Sequence, residues 1–299
     1  MNRALRLGSR GSRLALAQSE GVAELLRTRG HPVDVITILT PGDHRLPGSP
    51  LGDGVFVTAI EAAMTAGEID LAVHSAKDLA LKPTPGLLIG AFPERGDARD
   101  ALVTARGGGS LSTLVRGAEV GTDSARRRSF LLRQRGDLSV IPMVGNVDRR
   151  LARLDAGQGA AILLAAAGID RLGLGDRIDQ RLEPELMAPA PAQGALAVQC
   201  RVDDQPLLDL LAQIDDRSVR LAVLAERAVL DSIGATCGSP IGALATQVGS
   251  RLHLLAAAVR PDGARSHTVR LEGGATEDDA MRLGAEAGRE LAAVVEFPR

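Results

Sequence analysis

The run His74-Ser75-Ala76-Lys77-Asp78 holds the most chemically promising side chains in the sequence. It follows an apolar segment, residues 69–73, whose branched side chains predict a strand. The carboxyl ends of parallel strands are where α/β proteins bind ligands. At such a point Lys77 could bind an anion and Asp78 could stabilise a cation. The alternative is a solvated loop that carries an incidental charge pair.

A second group of residues suits the binding of anions. Small hydroxyl residues at a predicted helix start leave backbone N–H groups free for an anion, and neighbouring arginines add forked donors for carboxylate or phosphate. The group consists of Thr122, Ser124, Arg126, Arg127 and Arg128, then Arg149 and Arg150, and near the start of the chain Arg10 and Ser12. A solvated basic helix face is the alternative, and it is strongest for Arg128. Spread over two α/β units, these sites indicate a polyanionic ligand in an interdomain cleft.

Cys237 is the candidate for covalent chemistry. It lies in the polar, glycine-rich stretch Gly234-Ala235-Thr236-Cys237-Gly238-Ser239-Pro240, which predicts a more accessible thiol than that of Cys200. A lone cysteine is most often a small buried residue, so this alternative stays open. No histidine lies nearby in sequence to activate the thiol.

Composition excludes several classes of protein. The net charge of −2 over 299 residues argues against a general nucleic-acid binder, and two cysteines cannot form a disulfide scaffold or a four-cysteine zinc site. The five histidines lack metal-ligand spacing, so we expect no metal. No apolar run is long enough to span a membrane, and the charged first residues lack a signal-peptide core, so we expect a cytoplasmic protein. Only Lys77 and Lys82 accompany 33 arginines, which makes a retained lysine informative.

The elements that must position these residues alternate between strand and helix. Strands are predicted at residues 5–8, 33–39, 69–73, 101–103, 140–144 and 160–165, and helices from Ser9 or Ser12 to about Arg29 and at 56–66, 124–135 and 147–156. This alternation indicates parallel α/β units. Residues 33–39 are predicted as a buried strand, 41–54 as a loop and 184–191 as a crossover linker. A helix at 215–232, strands at 241–248, 252–259 and 267–271, and a helix at 277–294 indicate a small α+β domain.

Several motifs that follow one another along the whole chain resemble those of the hydroxymethylbilane synthase family, also called porphobilinogen deaminases. They are Ala72-Val73-His74-Ser75-Ala76-Lys77-Asp78, Arg95-Gly96-Asp97-Ala98-Arg99-Asp100, Gly121-Thr122 with Arg126-Arg127, Gly145-Asn146-Val147 with Arg150, Gln193-Gly194-Ala195, Ala225-Glu226-Arg227, and Cys237 with Pro240-Ile241-Gly242. The family joins four porphobilinogen units, with loss of ammonia, into the linear tetrapyrrole hydroxymethylbilane, a step of porphyrin and heme biosynthesis.

The resemblance implies a role for each matching residue. Cys237 would hold a dipyrromethane cofactor, the primer, by a thioether, and Asp78 would be the catalytic carboxylate that stabilises the cation formed when ammonia leaves. The implied cofactor-binding residues are Cys237, Lys77, Asp78, Thr122, Ser124, Arg126, Arg127 and Arg150, and the implied substrate-binding residues are Arg10, Ser12, Ser75, Arg149 and Gln193. The growing chain accumulates acetate and propionate groups, which explains a need for arginine.

The resemblance also implies the architecture. We expect two similar α/β domains of the two-lobed, periplasmic-binding-protein-like type, followed by a small C-terminal α+β domain. The expected boundaries are 1–93 with 193–213 for the first domain, 94–192 for the second and 214–299 for the third. The expected partner is the small molecule porphobilinogen, with no nucleic acid and no membrane, and the expected state is a monomer. The loop at 41–54 is the candidate lid.

The sequence departs from the family pattern at a few positions. Val144 stands where an arginine is usual, Arg149 where a threonine is usual, and Asp53 and Asp123 add negative charge, while Ala192 replaces a glycine. These changes make the site less positive. Three hypotheses therefore stay open: a working synthase with a rearranged acid-binding set, a paralogue with impaired elongation or an altered pyrrole substrate, and a non-catalytic ligand-binding protein of the two-lobed type.

Overall fold

The computed structural model describes residues 3–38, 57–235 and 238–294, which fall into two compact units. The first unit is Met1–Arg95 with Ala195–Arg220, and the second is Gly96–Gly194 with Leu221–Arg299. The division into three domains stays a prediction. The predicted lid loop at 41–54, with Asp53, and the thiol residue Cys237 lie outside the described residues.

The described residues form strands and helices with the following bounds. The strands are β1 (Leu5–Ser9), β2 (Val33–Thr37), β3 (Leu71–Ser75), β4 (Leu87–Ala91), β5 (Asp100–Thr104), β6 (Glu119–Gly121), β7 (Ser139–Ile141), β8 (Ala161–Ala165), β9 (Gln180–Leu182), β10 (Leu196–Arg201), β11 (Ile241–Val248), β12 (Arg251–Val259) and β13 (Ser266–Gly274). The helices are α1 (Arg13–Arg27), α2 (Thr58–Thr65), α3 (Ala125–Gln134), α4 (Val147–Asp155), α5 (Ala166–Arg171), α6 (Gln205–Leu211), α7 (Arg217–Ser232) and α8 (Glu277–Val294), with short 3-10 turns at Ala76–Asp78 and Gly175–Arg177.

The two units contain five-stranded sheets of the same design. The first has the order β2-β1-β3-β10-β4 and the second the order β7-β6-β8-β5-β9. In each sheet four strands run in one direction, and the fourth strand in the order, β10 or β5, runs the opposite way and pairs antiparallel with both of its neighbours. The predicted α/β fold class with two similar sheet domains is confirmed. The prediction of parallel units is confirmed for the pairings β2-β1-β3 and β7-β6-β8 and is wrong for β10 and β5, which follow a crossing of the chain from one unit to the other and enter their sheets in reverse.

Apolar side chains from strands and helices fill each unit. In the first unit, Leu7 and Val73 pack with Val22 and Leu26 of α1 on one face of the sheet, and Ala72 packs with Ile60 of α2 on the other. In the second unit, one cluster includes Phe130 of α3 and another includes Leu151 and Leu154 of α4. Helices therefore cover both faces of each sheet, as α/β folds require.

The last part of the chain matches the predicted α+β domain. Strands β11, β12 and β13 form an antiparallel sheet in which each strand pairs with the next one along the chain. Helix α8 contacts β13 and β12 and covers one face. The predicted bounds of β11 and α8 coincide with those observed, because both segments carry an uninterrupted periodic pattern with turn residues at their ends.

Three local predictions need correction. Strand β2 is an edge strand that pairs with β1, so within it only Val33 is fully buried. Strand β7 ends at Ile141 rather than Val144, because Pro142 lacks a backbone N–H for the sheet. The segment 184–191 is not the crossover linker: Met187 and Ala188 are buried in the second unit, and the chain crosses to the first unit after Gly194.

Candidate functional site

The candidate residues of the first unit lie at the carboxyl ends of two neighbouring parallel strands. Arg10 and Ser12 follow β1, and Lys77 and Asp78 follow β3, which pairs with β1. The Oγ of Ser12 caps α1 by accepting a hydrogen bond of 3.3 Å from the backbone N–H of Ala15. The sequence prediction of a cap at Ser9 or Ser12 is thus confirmed for Ser12.

The turn after β3 is held by both side-chain and backbone contacts. The amide Nε2 of Gln18, a buried residue of α1, donates to the Oγ of Ser75 at 3.0 Å. The backbone N–H of Ala76 donates to the carbonyl of Ala195 at 3.1 Å. From this turn Lys77 emerges half-buried and Asp78 exposed. The carboxylate of Asp78 therefore leaves a well-anchored turn and lies open to a ligand.

The second unit repeats this arrangement at the end of β6. Ser124 caps α3, its Oγ accepting from the backbone N–H of Arg127 at 3.4 Å. The Oγ1 of the buried Thr122 accepts from the N–H of Ser124 at 3.2 Å. The loop thus presents a capped helix start, where the remaining backbone donors and the helix dipole favour an anion. Asp123 between them is exposed.

Arg126 and Arg127 turn inward and share one carboxylate. Asp100, which is 0% exposed, accepts from Arg126 at 2.6 and 3.1 Å and from the Nε of Arg127 at 2.8 Å. The amide of Gln193 adds a fourth hydrogen bond to Asp100, at 3.0 Å. Burial alone would raise the pKa of the Asp100 carboxyl, but the two guanidinium groups and these hydrogen bonds hold it well below its usual range.

The cluster is buried, and its two guanidinium groups both face the carboxylate of Asp100. Both Nη atoms of Arg126 are directed at internal acceptors, since Nη1 also donates to the carbonyl of Ala188 at 2.7 Å. The Nε of Arg126 is buried and has no hydrogen-bond partner among the described residues. Arg126 is therefore fixed by internal contacts at both Nη atoms.

A further group of arginines surrounds the turn before α4. The Nε of Arg150 donates to the carbonyl of Gly145 at 2.6 Å, and Nη1 of Arg153 donates to that of Val144 at 3.1 Å. Burial lowers the pKa of Arg150 to about 10, and the charges of Arg127 and Arg153 act in the same direction. Arg149 is exposed. Charge repulsion within this group would be relieved by a bound anion.

The sequence assigned no role to three residues that contribute to these sites. Asp100 organises the Arg126 and Arg127 pair, Gln18 holds Ser75, and the Nη2 of Arg171 donates to the carbonyl of Gly194 at 2.7 Å. The sequence did offer one signal for Asp100: it is a charged residue directly before the apolar segment 101–103. Nothing local distinguishes Gln18 or Arg171, because their partners lie 57 and 23 residues away.

The donor set of both units fits an organic ligand with several carboxylates. It consists of guanidinium groups, hydroxyls and helix-start N–H groups, which recognise carboxylates in a directed way. Within the part of the chain that the structure describes, no group of three or more His, Cys, Asp and Glu side chains lies together as a metal site would. No helix among the described residues is long and apolar enough to cross a membrane.

Comparison with known proteins identifies relatives over almost the full length. The family model for porphobilinogen deaminase, dipyromethane cofactor binding domain, matches residues 5–209, and that for the C-terminal domain of porphobilinogen deaminase matches residues 220–293. The porphobilinogen deaminase of Acidothermus cellulolyticus is 45% identical over 295 residues, covering 96% of this chain and 88% of the relative. That of Roseiflexus sp. is 45% identical over 297 residues, covering 97% of this chain and 96% of the relative.

Solved structures with a similar fold are more distant in sequence. The periplasmic VFT2 domain of Bordetella pertussis BvgS matches with a TM-score of 0.41 and 17% identity, covering 71% of this chain and 86% of that one. A periplasmic substrate-binding protein of an ABC transporter from Coxiella burnetii matches with a TM-score of 0.45 and 14% identity, covering 72% and 94%.

Proposed function

This chain belongs to the porphobilinogen deaminase family of transferases, which form hydroxymethylbilane, and from that membership we propose which of its residues carry the reaction. Asp78 is the catalytic carboxylate. The observation that carries this assignment is the anchored turn after β3, from which the Asp78 side chain emerges exposed. A fixed anion there stabilises the positive charge that develops on a pyrrole when ammonia leaves, and it accepts hydrogen bonds from pyrrole N–H groups.

The dipyrromethane cofactor of the family fits the donor set of this chain. Its acid side chains need cations and N–H donors, and the second unit offers the arginine pair Arg126 and Arg127 beside the capped start of α3. The residues proposed to hold it are Cys237, through a thioether, and Lys77, Asp78, Thr122, Ser124, Arg126, Arg127 and Arg150. When bound, the cofactor supplies the covalent primer to which substrate units are added.

Within this set the residues have different tasks. Thr122 and Ser124 arrange the start of α3 so that its backbone N–H groups face an incoming carboxylate. Arg150 supplies a half-buried charge that burial destabilises, as its pKa of about 10 reflects, and a bound carboxylate would stabilise that charge. Arg126 holds Asp100 and Ala188, and through them orients Arg127.

A separate set is proposed to receive the substrate. It comprises Arg10, Ser12, Ser75, Arg149 and Gln193. Arg149 is exposed, so its guanidinium can reach a carboxylate in solution. The Oγ atoms of Ser12 and Ser75 already take part in hydrogen bonds within the first unit, which leaves each with spare capacity as a second donor or acceptor.

We further propose that the protein works as a cytoplasmic monomer. Light scattering on a sizing column is expected to give one species at the chain mass of 31.1 kDa. Cell fractionation is expected to recover the activity with the cytoplasmic fraction. A dimer mass, or activity in another fraction, would refute the corresponding part of this proposal.

The first test is the intact mass of the purified protein beside a Cys237→Ser variant. We expect a covalent excess equal to two linked pyrroles in the parent protein and none in the variant. An unmodified parent protein is then incubated with porphobilinogen. A gain of mass on incubation means that the chain builds its own primer, whereas no gain contradicts the assignment of Cys237.

The second test separates a working synthase from a paralogue. Val144 lies exposed where the family has an arginine, and Asp123 adds a negative charge close enough to favour the charged form of Arg150. If these changes are compensated, loaded enzyme turns over porphobilinogen to the linear tetrapyrrole. If loaded enzyme stalls after one or two additions, which mass spectrometry of the enzyme-bound chain would reveal, the paralogue hypothesis is correct.

A further inference from the structure

A buried chain of polar side chains in the first unit has no part in the function described so far. The Nε2 of His74 lies 2.9 Å from the Oε1 of Gln199, and the Nε2 of Gln199 donates to the Oε1 of Glu61 at 2.8 Å. The hydroxyl of Thr84 donates to the other oxygen of Glu61 at 2.9 Å. His74 and Gln199 are both almost completely buried. These hydrogen-bonded side chains thus connect α2, β10 and β3 through the interior of the first unit.

The direction of these hydrogen bonds fixes the protonation of His74. The carboxylate of Glu61 can only accept, so the amide nitrogen of Gln199 must face it. The carbonyl oxygen of Gln199 then faces His74, which must donate through a protonated Nε2. His74 therefore carries a proton on Nε2, and in the neutral ring Nδ1 is unprotonated. Burial supports the neutral state, since it lowers the pKa of His74 to about 4.

His74 anchors the end of β3 on the face of the sheet opposite to that of Ser75. Successive side chains of a strand point to opposite faces. Ser75 lies on the α1 side, where Gln18 holds it, and His74 lies on the same side as Ala72, whose neighbours include Ile60 of α2. The next residue, Ala76, is held by its backbone N–H. Three consecutive residues are therefore fixed, each in a different direction, immediately before Lys77 and Asp78.

We propose that His74 is a positioning residue for the reaction: by donating from Nε2 to Gln199 it fixes the end of β3 from which the Asp78 carboxylate leaves. It touches neither substrate nor cofactor in this role. A displacement of about 1 Å in a catalytic group can lower the rate about 10²-fold. If the end of β3 were held on one face only, Asp78 could shift by such a distance and the turnover rate would fall. The inference rests on the proposed catalytic role of Asp78.

The decisive comparison is between His74→Gln and His74→Leu, both as cofactor-loaded enzyme. Glutamine keeps an N–H donor at similar reach, and leucine fills the space without one. We expect His74→Leu to lower kcat at least tenfold with KM within about twofold and unchanged cofactor content, and His74→Gln to retain kcat within about threefold. Leu26→Ala, a buried truncation near the far end of α1, serves as the control, and should lower the unfolding temperature without lowering kcat per loaded enzyme.

Each result decides the inference. A parent-like kcat in His74→Leu overturns it, and so does an equal loss in both histidine variants, because the hydrogen bond would then not be the cause. If His74→Leu does not fold, Gln199→Met, which breaks the same bond from the other side, takes its place in the same assay. An active Asp78→Asn enzyme would instead refute the role of Asp78, so the two failures are distinguishable. In ¹⁵N spectra of the loaded enzyme, a His74 protonated on Nδ1 would also contradict the assigned tautomer.

Discussion

Arg126 and Asp100 form a two-point ion pair that is almost completely shielded from water. The Nη1–Oδ2 and Nη2–Oδ1 distances are 2.6 and 3.1 Å, and the side chains are 3% and 0% exposed. Arg127 shares the same carboxylate. Asp100 thereby sets the geometry of both arginines that follow the start of α3. The two arginines proposed to bind the ligand are thus arranged around the buried negative charge of Asp100.

Removing that charge should be costly for folding. Asp100→Asn removes the buried carboxylate that Arg126 and Arg127 share, and breaking a buried pair in this way typically costs about 3–5 kcal/mol. We expect a large fall in the urea midpoint of unfolding. Asp155→Asn, which breaks the half-exposed pair with Arg177, is the control and should change the midpoint far less. Equal effects of the two substitutions would show that Asp100 contributes no more than a surface ion pair.

Asp78→Asn should separate cofactor attachment from turnover. The amide has nearly the shape of the carboxylate but no charge, so it cannot stabilise a developing cation. We expect normal cofactor content by intact mass together with loss of nearly all turnover of porphobilinogen. Asp209→Asn on α6, where the exposed carboxylate bonds only the nearby Gln205 in the described structure, is the control for an unrelated loss of charge. Normal turnover in Asp78→Asn would refute the catalytic role.

Arg150→Gln should weaken the retention of the polycarboxylate ligand. Arg150 lies half-buried at the start of α4, where its charge is destabilised until a carboxylate arrives. We expect a higher KM for porphobilinogen and a smaller cofactor-loaded fraction. Arg128→Gln removes an exposed arginine from α3 and is the matched control, since we assign Arg128 to the solvated face. If both variants behave alike, the effect comes from overall charge and Arg150 has no specific role.

Ala192 and Gly194 both have a positive φ, but we expect the substitutions Ala192→Gly and Gly194→Ala to change stability to very different extents. Ala192 has φ 65°, and Gly194 has φ 86°. A Cβ at Gly194 would lie 2.5 Å from the carbonyl oxygen of Gly96, whereas the methyl of Ala192 is already accommodated. Ala192→Gly relieves backbone strain but adds freedom to the unfolded chain, so stability should stay within about 1 kcal/mol. Gly194→Ala should lower the unfolding temperature clearly, and a neutral result would contradict the close approach.

The neutral state of His74 predicts a loss of stability in mild acid. Its folded-state pKa of about 4 lies below the unfolded value of about 6.5, so the unfolded chain binds more protons in this window. Stability should fall as the pH drops through 6.5, by about 2 kcal/mol between pH 7 and pH 5. The lowered pKa values of Asp70 and Asp100 act only below about pH 4. Urea unfolding at pH 7, 6 and 5 should show this loss in the parent and a flat response in His74→Gln.

Local patterns in the sequence determined much of what could be predicted. The motif residues His74 to Asp78 end a strand, Ser12 and Ser124 cap helices, and β11 and α8 have the predicted bounds. These features follow from hydrogen bonds and side-chain periodicities within a few residues, which a sequence displays directly. The order of the motifs likewise sufficed to indicate the family.

Only the tertiary structure decided how distant segments combine. The reversed direction of β10 depends on where the chain crosses between units. The partial exposure of β2 depends on its place at the edge of the sheet. The partners of Asp100 lie 26 to 93 residues away, and Gln199 meets His74 across 125 residues. Such contacts exist because each buried charge or amide must find a hydrogen-bond partner inside the fold, and no local pattern specifies which one it finds.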